Sequence, residues 1–289
     1  MKTSFEHYLR KQGQSPKSTA SCEAAVRLFT EWMKEQSIDP VQGSYADVLA
    51  YMKHCQKKGT AQRTVQNYVN MVRHFYDHLI EQGQIESNPA AGIKVKGVKR
   101  KTLYHIFPPG ELHAIYNSLE TRGATDIRDK AMLGLMVYQG VKTEELGKLE
   151  VKDVKLKEGK IEVPGGRKSE ARTLPLEAHQ ILEMHNYVAQ VRQEILGHRE
   201  TENLFIGPGG SRRPGAFVQY LLIKLRKKHP GIGNAKQLRA SVIVKWLRMY
   251  NLRKVQYLAG HRYISSTESY RQSEMEGLTE EVNKFHPLG

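Results

Sequence analysis

The first hundred residues carry their apolar positions at helical spacing only. Ser15-Pro16-Lys17-Ser18 places a capping serine before a proline suited to a helix's first turn, and Ala24, Val26, Leu28, Phe29 and Trp32 follow as an apolar face. Asp39-Pro40 closes that helix. A second runs from Tyr45 to Lys58 on a stripe of Val48, Leu49, Tyr51 and Met52, and Gly59 stops it. From Thr60 to Gln82, Val65, Tyr68, Val69, Val72, Phe75, Tyr76, Leu79 and Ile80 mark the longest helix. The pattern predicts four helices and no strand, an all-α bundle whose aromatics form its core.

Periodicity is lost from Gly83 to Pro109, where Asn88-Pro89 marks a turn and Lys94, Lys96, Lys99, Arg100 and Lys101 sit among glycines. Beyond it the pattern mixes. Residues 126–140 read as a helix and 141–149 as a short one. Val151–Leu156, Lys160–Val163 and Ala171–Leu176 then alternate as strands joined by Glu158-Gly159 and by the turn from Gly165 to Glu170. Helical spacing returns over 177–196, 215–228, 236–250 and 253–259, and again after Ser265. Three short strands among helices predict an α+β domain with a small antiparallel sheet. The expected division is a helical domain over 1–92, a basic linker over 93–105 and a second domain over 106–289.

Charge narrows the possible partners. The 289 residues hold 45 Lys and Arg against 30 Asp and Glu, a formal net charge of +15. Residues 1–103 contribute +7 and the rest +8, so the excess is spread over both parts. A polyanion gripped by both domains, with duplex DNA the first candidate, fits this better than one basic tail would. An anionic membrane surface or RNA fits less well, for no basic amphipathic helix or base-stacking motif stands out. No apolar run reaches the ~18 to 20 residues of a membrane span, and the start carries no apolar signal core, which points to a cytosolic protein. Cys22 and Cys55 lack metal-ligand spacing and read as reduced thiols.

Four local signals in the second part suggest chemistry. Gly140-Val141-Lys142-Thr143-Glu144-Glu145-Leu146 sets a cation at a helix start with Glu145 three residues on. Arg167 and Lys168 sit at the tip of a hairpin. Lys236-Gln237-Leu238-Arg239 opens a helix, leaving Arg239 near an N-terminus suited to an anion. Leu258-Ala259-Gly260-His261 precedes Tyr270 by nine residues, counted from the histidine. Taken singly, each also reads as an ordinary ion pair, a solvated turn or a packing tyrosine.

In this order the signals resemble the catalytic domain of the tyrosine recombinase or phage integrase family, including its Xer-like and mobile-element members, over about Ile106 to His286. The helical first domain resembles that family's core-binding, SAM-like domain. The resemblance implies a site-specific DNA recombinase or integrase, binding duplex DNA as a dimer on one site and a tetramer in synapsis, in a bacterial cytoplasm, without cofactor or metal. It implies that Tyr270 attacks a backbone phosphate, giving a 3′-phosphotyrosyl link on the way to a Holliday junction. Arg239 and His261 would hold the nonbridging oxygens, Lys168 would protonate the leaving 5′-oxygen and Glu145 would buttress the first cation.

This chain departs from the family pattern at three places. Lys142 stands where the family has arginine, keeping the charge but losing the bidentate fork. Lys236 stands where the family has histidine. Counting back five from Arg172, as in many family hairpins, lands on Arg167, one residue before Lys168; lysine is preferred as the acid because its pKa responds to its surroundings. A DNA-binding protein of the same fold with a weakened site is the alternative. Lys99, Arg100 and Lys101 would track the DNA backbone, and Arg63 and Asn67, with Gln62, are side chains able to reach bases or phosphates. Met275, Leu278, Val282 and Phe285 form a terminal apolar stripe suited to packing on its own domain or docking on a neighbouring protomer.

Overall fold

The structure is a computed structural model describing residues 4–97, 105–167 and 169–271. Lys99, Arg100, Lys101, Lys168 and the stripe from Met275 to Phe285 lie outside the described residues. The chain divides into two compact units, Met1–Thr102 and Leu103–Gly289.

Among its described residues the first unit has helices and no strand: α1 (Phe5–Lys11), α2 (Pro16–Glu35), α3 (Tyr45–Lys57) and α4 (Gln62–Glu81). Its starts are written in the sequence. Ser15 Oγ accepts from the Ser18 N–H, with Pro16 in the first turn, and Ser44 and Asp47 cap α3 reciprocally. The core gathers Phe29, Tyr51 and Tyr76, whose rings meet edge to face at 5.1 and 6.0 Å. On α2 the buried face is Cys22, Ala25, Val26, Phe29, Trp32 and Met33, while Leu28, expected inside, is 47% exposed. The buried positions step by three and four from Cys22, and Leu28 falls beside that stripe. Both cysteines are free and buried.

The stretch after Gly83 is not wholly a linker. Ala90 and Ile93 are buried in the helical unit, and Arg73 on α4 donates to both their carbonyls, at 3.2 and 3.1 Å. Asn88 donates in turn to the Arg73 carbonyl and to Asp77.

The second unit packs α5 (Pro109–Asn117), α8 (Ala178–Asn186), α10 (Pro214–Arg226) and α11 (Ala235–Met249) around α6 (Ala124–Val137), whose residues from Ala131 to Val137 are all buried. A helix apolar on every side belongs in a core. The short α7 (Thr143–Leu146) follows. Then comes a three-stranded antiparallel sheet in the order β1 (Val154–Lys155), β2 (Lys160–Val163), β3 (Arg172–Pro175), with Ile161 opposite Leu174 and Val163 opposite Arg172. Helices α9 (Arg192–Leu196) and α12 (Leu252–Ala259) complete the named elements, and residues 264–271 are also helical.

Three expectations change. The first strand shrinks to two residues because Glu150 and Asp153 close a 3₁₀ turn over Val151–Asp153, with the Glu150 N–H held by Asp153 at 2.8 Å. The helix over 177–196 is interrupted by a π-helical turn, Tyr187–Val191. Helix α5 was hidden by Pro108-Pro109-Gly110, which reads as a break, although proline is accepted in a first turn and Leu112, Ile115 and Tyr116 are buried at helical spacing. Among the described residues no helix is long and apolar enough to cross a membrane.

Neighbouring residues on α2 give a test of the first core. Phe29→Ala should cost about 3–5 kcal/mol in urea unfolding, while Leu28→Ser should change it by less than about 0.5 kcal/mol. Equal costs would place the helix in another rotation.

Candidate active site

The site is built from the ends of elements. Gly140, with φ +57°, turns the chain from α6 toward α7 and leaves its carbonyl facing Arg239. Lys142 precedes α7, and its N–H donates to Glu145 Oε2 at 2.9 Å. The carboxylate thereby closes the first turn of its own helix and is held in one orientation.

Glu145 is buried, and its partner is Arg172 on β3. The guanidinium donates to both carboxylate oxygens, at 3.0 and 2.9 Å, and through Nε to the Leu258 carbonyl at 2.9 Å. Strand alternation explains its place, because Arg172 and Leu174 occupy the inward positions of β3. Lys142 Nζ reaches the same carboxylate only at 3.8 Å and stays partly exposed. Burial pushes the Glu145 carboxyl upward, but the hydrogen bonds and charge of Arg172 outweigh that and hold it below the ordinary carboxylate value.

Arg239 lies in the second turn of α11, 5% exposed, after Asn234 has capped the helix by accepting from Gln237. It donates to the Gly140 and Ala259 carbonyls and lies 3.3 Å from His261 Nε2. The Tyr270 side chain lies close enough to favour the charged guanidinium. Carbonyls therefore orient Arg239, and among the described residues no carboxylate pairs with it directly.

His261 follows the left-handed Gly260 that ends α12. Its Nδ1 lies 2.9 Å from Thr267 Oγ1, and its ring stacks on Tyr270 at 5.8 Å and 13°. Burial first, then Arg239, Lys142 and Arg172, hold its pKa down at about 3. The ring is neutral at physiological pH.

Gly260 also makes room for the buried pair. A Cβ there would lie 2.5 Å from Arg172 Nη1 and 3.0 Å from its Cδ. The β2–β3 hairpin reaches the same place: Gly166 and Ser169 exchange backbone hydrogen bonds, Ser169 bridges to His261, and Glu170 donates to the Gly260 carbonyl.

The fold thus gathers Lys142, Glu145, Arg239, His261 and Tyr270. Three cations, Lys142, Arg172 and Arg239, surround one buried carboxylate, and the exposed Glu144 adds little. Such an excess suits an oxyanion such as a phosphodiester. Lys236 is exposed on the first turn of α11. Arg167 is exposed at the hairpin tip, where its carbonyl accepts from Arg262 at 3.1 Å. Arg63 and Asn67 are exposed one turn apart on α4, in the first unit. Among the described residues no three His, Cys, Asp or Glu side chains gather as metal ligands would.

Sequence reasoning missed Arg172 and Thr267 as members of the site. A charged residue at an inward position of an alternating strand was a usable signal for Arg172. Thr267 gave none.

Two outcomes follow from the buried groups. Arg172→Met leaves Glu145 buried without its bidentate partner and should cost about 3–5 kcal/mol in urea unfolding. For His261, the unfolded chain takes up a proton below about pH 6.5 while the folded protein does not. Its contribution is therefore fully present above that pH and is lost as pH falls toward 3, by up to about 1.4 kcal/mol per unit. The slope of stability against pH should flatten in this window in His261→Gln.

Comparison with known proteins identifies the family and the fold. The model of the phage integrase family matches residues 106–276, and that of the phage integrase N-terminal SAM-like domain matches residues 3–83. Tyrosine recombinase XerD of Shewanella oneidensis is 25% identical over 285 residues, covering 96% of this chain and 93% of that protein. The Tn1549 transposon integrase in complex with transposon right end DNA shares the fold, with a TM-score of 0.69 at 15% identity, covering 96% of this chain and 100% of that one. A lambda integrase tetramer bound to a Holliday junction gives 0.68 at 16% identity, with 92% and 74% covered. With a family model spanning more than half of its length and the second unit's cations, histidine and tyrosine gathered in one place, the chain belongs to the phage integrase family.

Proposed function

We propose that this protein is a site-specific recombinase that cuts and rejoins duplex DNA through a covalent 3′-phosphotyrosyl intermediate. The observation that carries the reading is the buried excess of positive charge around Glu145, with Tyr270 stacked on His261 at its edge. A phosphodiester bound there would meet Arg239 and Lys142 as donors to its nonbridging oxygens, where negative charge grows in the pentacoordinate state. Tyr270 attacks phosphorus, the bond to the 5′-oxygen breaks, and the phosphotyrosyl ester keeps the energy needed for rejoining without a nucleotide cofactor.

Protonation of the 5′-oxygen falls to the hairpin tip, whose backbone pairs with His261 through Ser169. Lys168 is the proposed acid, with Arg167 as a neighbouring cation. Lys236 would add a hydrogen-bond donor at the rim. Lys99, Arg100, Lys101, Arg63 and Asn67 are proposed to grip or read the duplex. Dimers on one site, tetramers in synapsis and a Holliday junction intermediate follow from the similarity to lambda integrase, and cytoplasmic DNA is the expected target.

The test uses a half-site oligonucleotide whose nick lets the short fragment bearing the released 5′-hydroxyl diffuse away, trapping the covalent adduct. The parent chain should form it, and Tyr270→Phe should bind the same DNA and form none. An adduct that persists in Tyr270→Phe would overturn the assignment. Lys142→Arg should speed adduct formation by about 10- to 100-fold, since one added charge-assisted hydrogen bond is worth about 1.5–3 kcal/mol.

A further inference from the structure

His261 sits between two partners that fix where its proton lies. Arg239 Nη2 is 3.3 Å from Nε2, and a guanidinium has donors only, so Nε2 accepts. The proton of the neutral ring is therefore on Nδ1, 2.9 Å from Thr267 Oγ1. Thr267 is fully buried and stands three residues before Tyr270 in the helical segment 264–271, on the same side. The imidazole stacks on the Tyr270 ring.

We propose that Thr267 is a positioning residue: by accepting from Nδ1–H it holds His261 in the tautomer whose Nε2 lone pair faces Arg239 beside the Tyr270 ring, so that the imidazole receives the phenol proton once the phosphodiester takes over the Arg239 hydrogen bond. The proposal rests on Tyr270 being the nucleophile. In the step, the Tyr270 O–H bond breaks as Nε2–H forms, the phenolic oxygen bonds to phosphorus, and the bond to the 5′-oxygen breaks. The resulting imidazolium can then donate to a nonbridging oxygen. Arg239, Lys142 and Arg172 oppose a charge on His261 and Glu145 favours it. The arriving phosphodiester supplies the negative charge that makes protonation affordable. Lys236, where the family has histidine, is exposed at the start of α11, which leaves His261 as the neutral acceptor beside the nucleophile.

The experiment has two arms on the full chain. Nitrogen-15 NMR of the DNA-free protein at neutral pH should show His261 protonated on Nδ1 in the parent and in Thr267→Ser, and a loss of that preference in Thr267→Val. With the half-site DNA, Thr267→Val should form adduct about 100-fold more slowly at unchanged DNA affinity, with Thr267→Ser restoring most of the rate. A proton on Nε2 in the parent overturns the proposal, and that spectrum needs no variant to fold. Equal rates in parent and valine variant, or equal losses in valine and serine variants, overturn it too. If the parent forms no adduct with any DNA while the spectra come out as expected, the recombinase reading fails and the tautomer assignment stands.

Discussion

The second unit depends on a buried imbalance of charge. Carrying Arg172 and Arg239 out of water beside a single carboxylate is expensive, and the fold meets the cost by giving each guanidinium fixed partners. Arg172 takes both oxygens of Glu145 and one carbonyl. Arg239 takes two carbonyls. What stays unpaid is net charge, which carbonyl dipoles orient but do not cancel. The same arrangement suits an anion, since donors already aimed need no reorganisation to meet one.

The elements that meet this cost lie far apart in sequence. The end of α6, the start of α7, strand β3, the second turn of α11 and the end of α12 all contribute groups. A small sheet in a mostly helical unit has a clear purpose here. Its alternation sets Arg172 inward beside Leu174, and its hairpin carries Ser169 and Glu170 to the backbone at Gly260 and His261. The strands serve placement more than bulk.

Much of this was legible in the chain. Ser15 and Ser44 announced their helices because capping is local chemistry, and Val65, Val69, Val72 and Tyr76 announced a buried face because helical spacing is local geometry. Lys142, Arg239, His261 and Tyr270 could be named in advance because their spacing resembles a known family. What escaped was non-local or ambiguous. Leu28 differs from its buried neighbours only by rotation about a helix axis. Pro109 reads equally as a break and as a first turn. Arg172 acts through a carboxylate 27 positions away, and Thr267 matters only because His261 folds back onto it.

Gly260 offers no functional group, yet three requirements meet at its missing side chain. Its backbone is left-handed to end α12, Arg172 fills the space a methyl would take, and its carbonyl receives the hairpin through Glu170. A genetic screen for lost activity would return this glycine among its strongest hits, beside residues that carry reactive side chains. Such a map of essential positions records where the backbone has no alternative as faithfully as where the chemistry occurs.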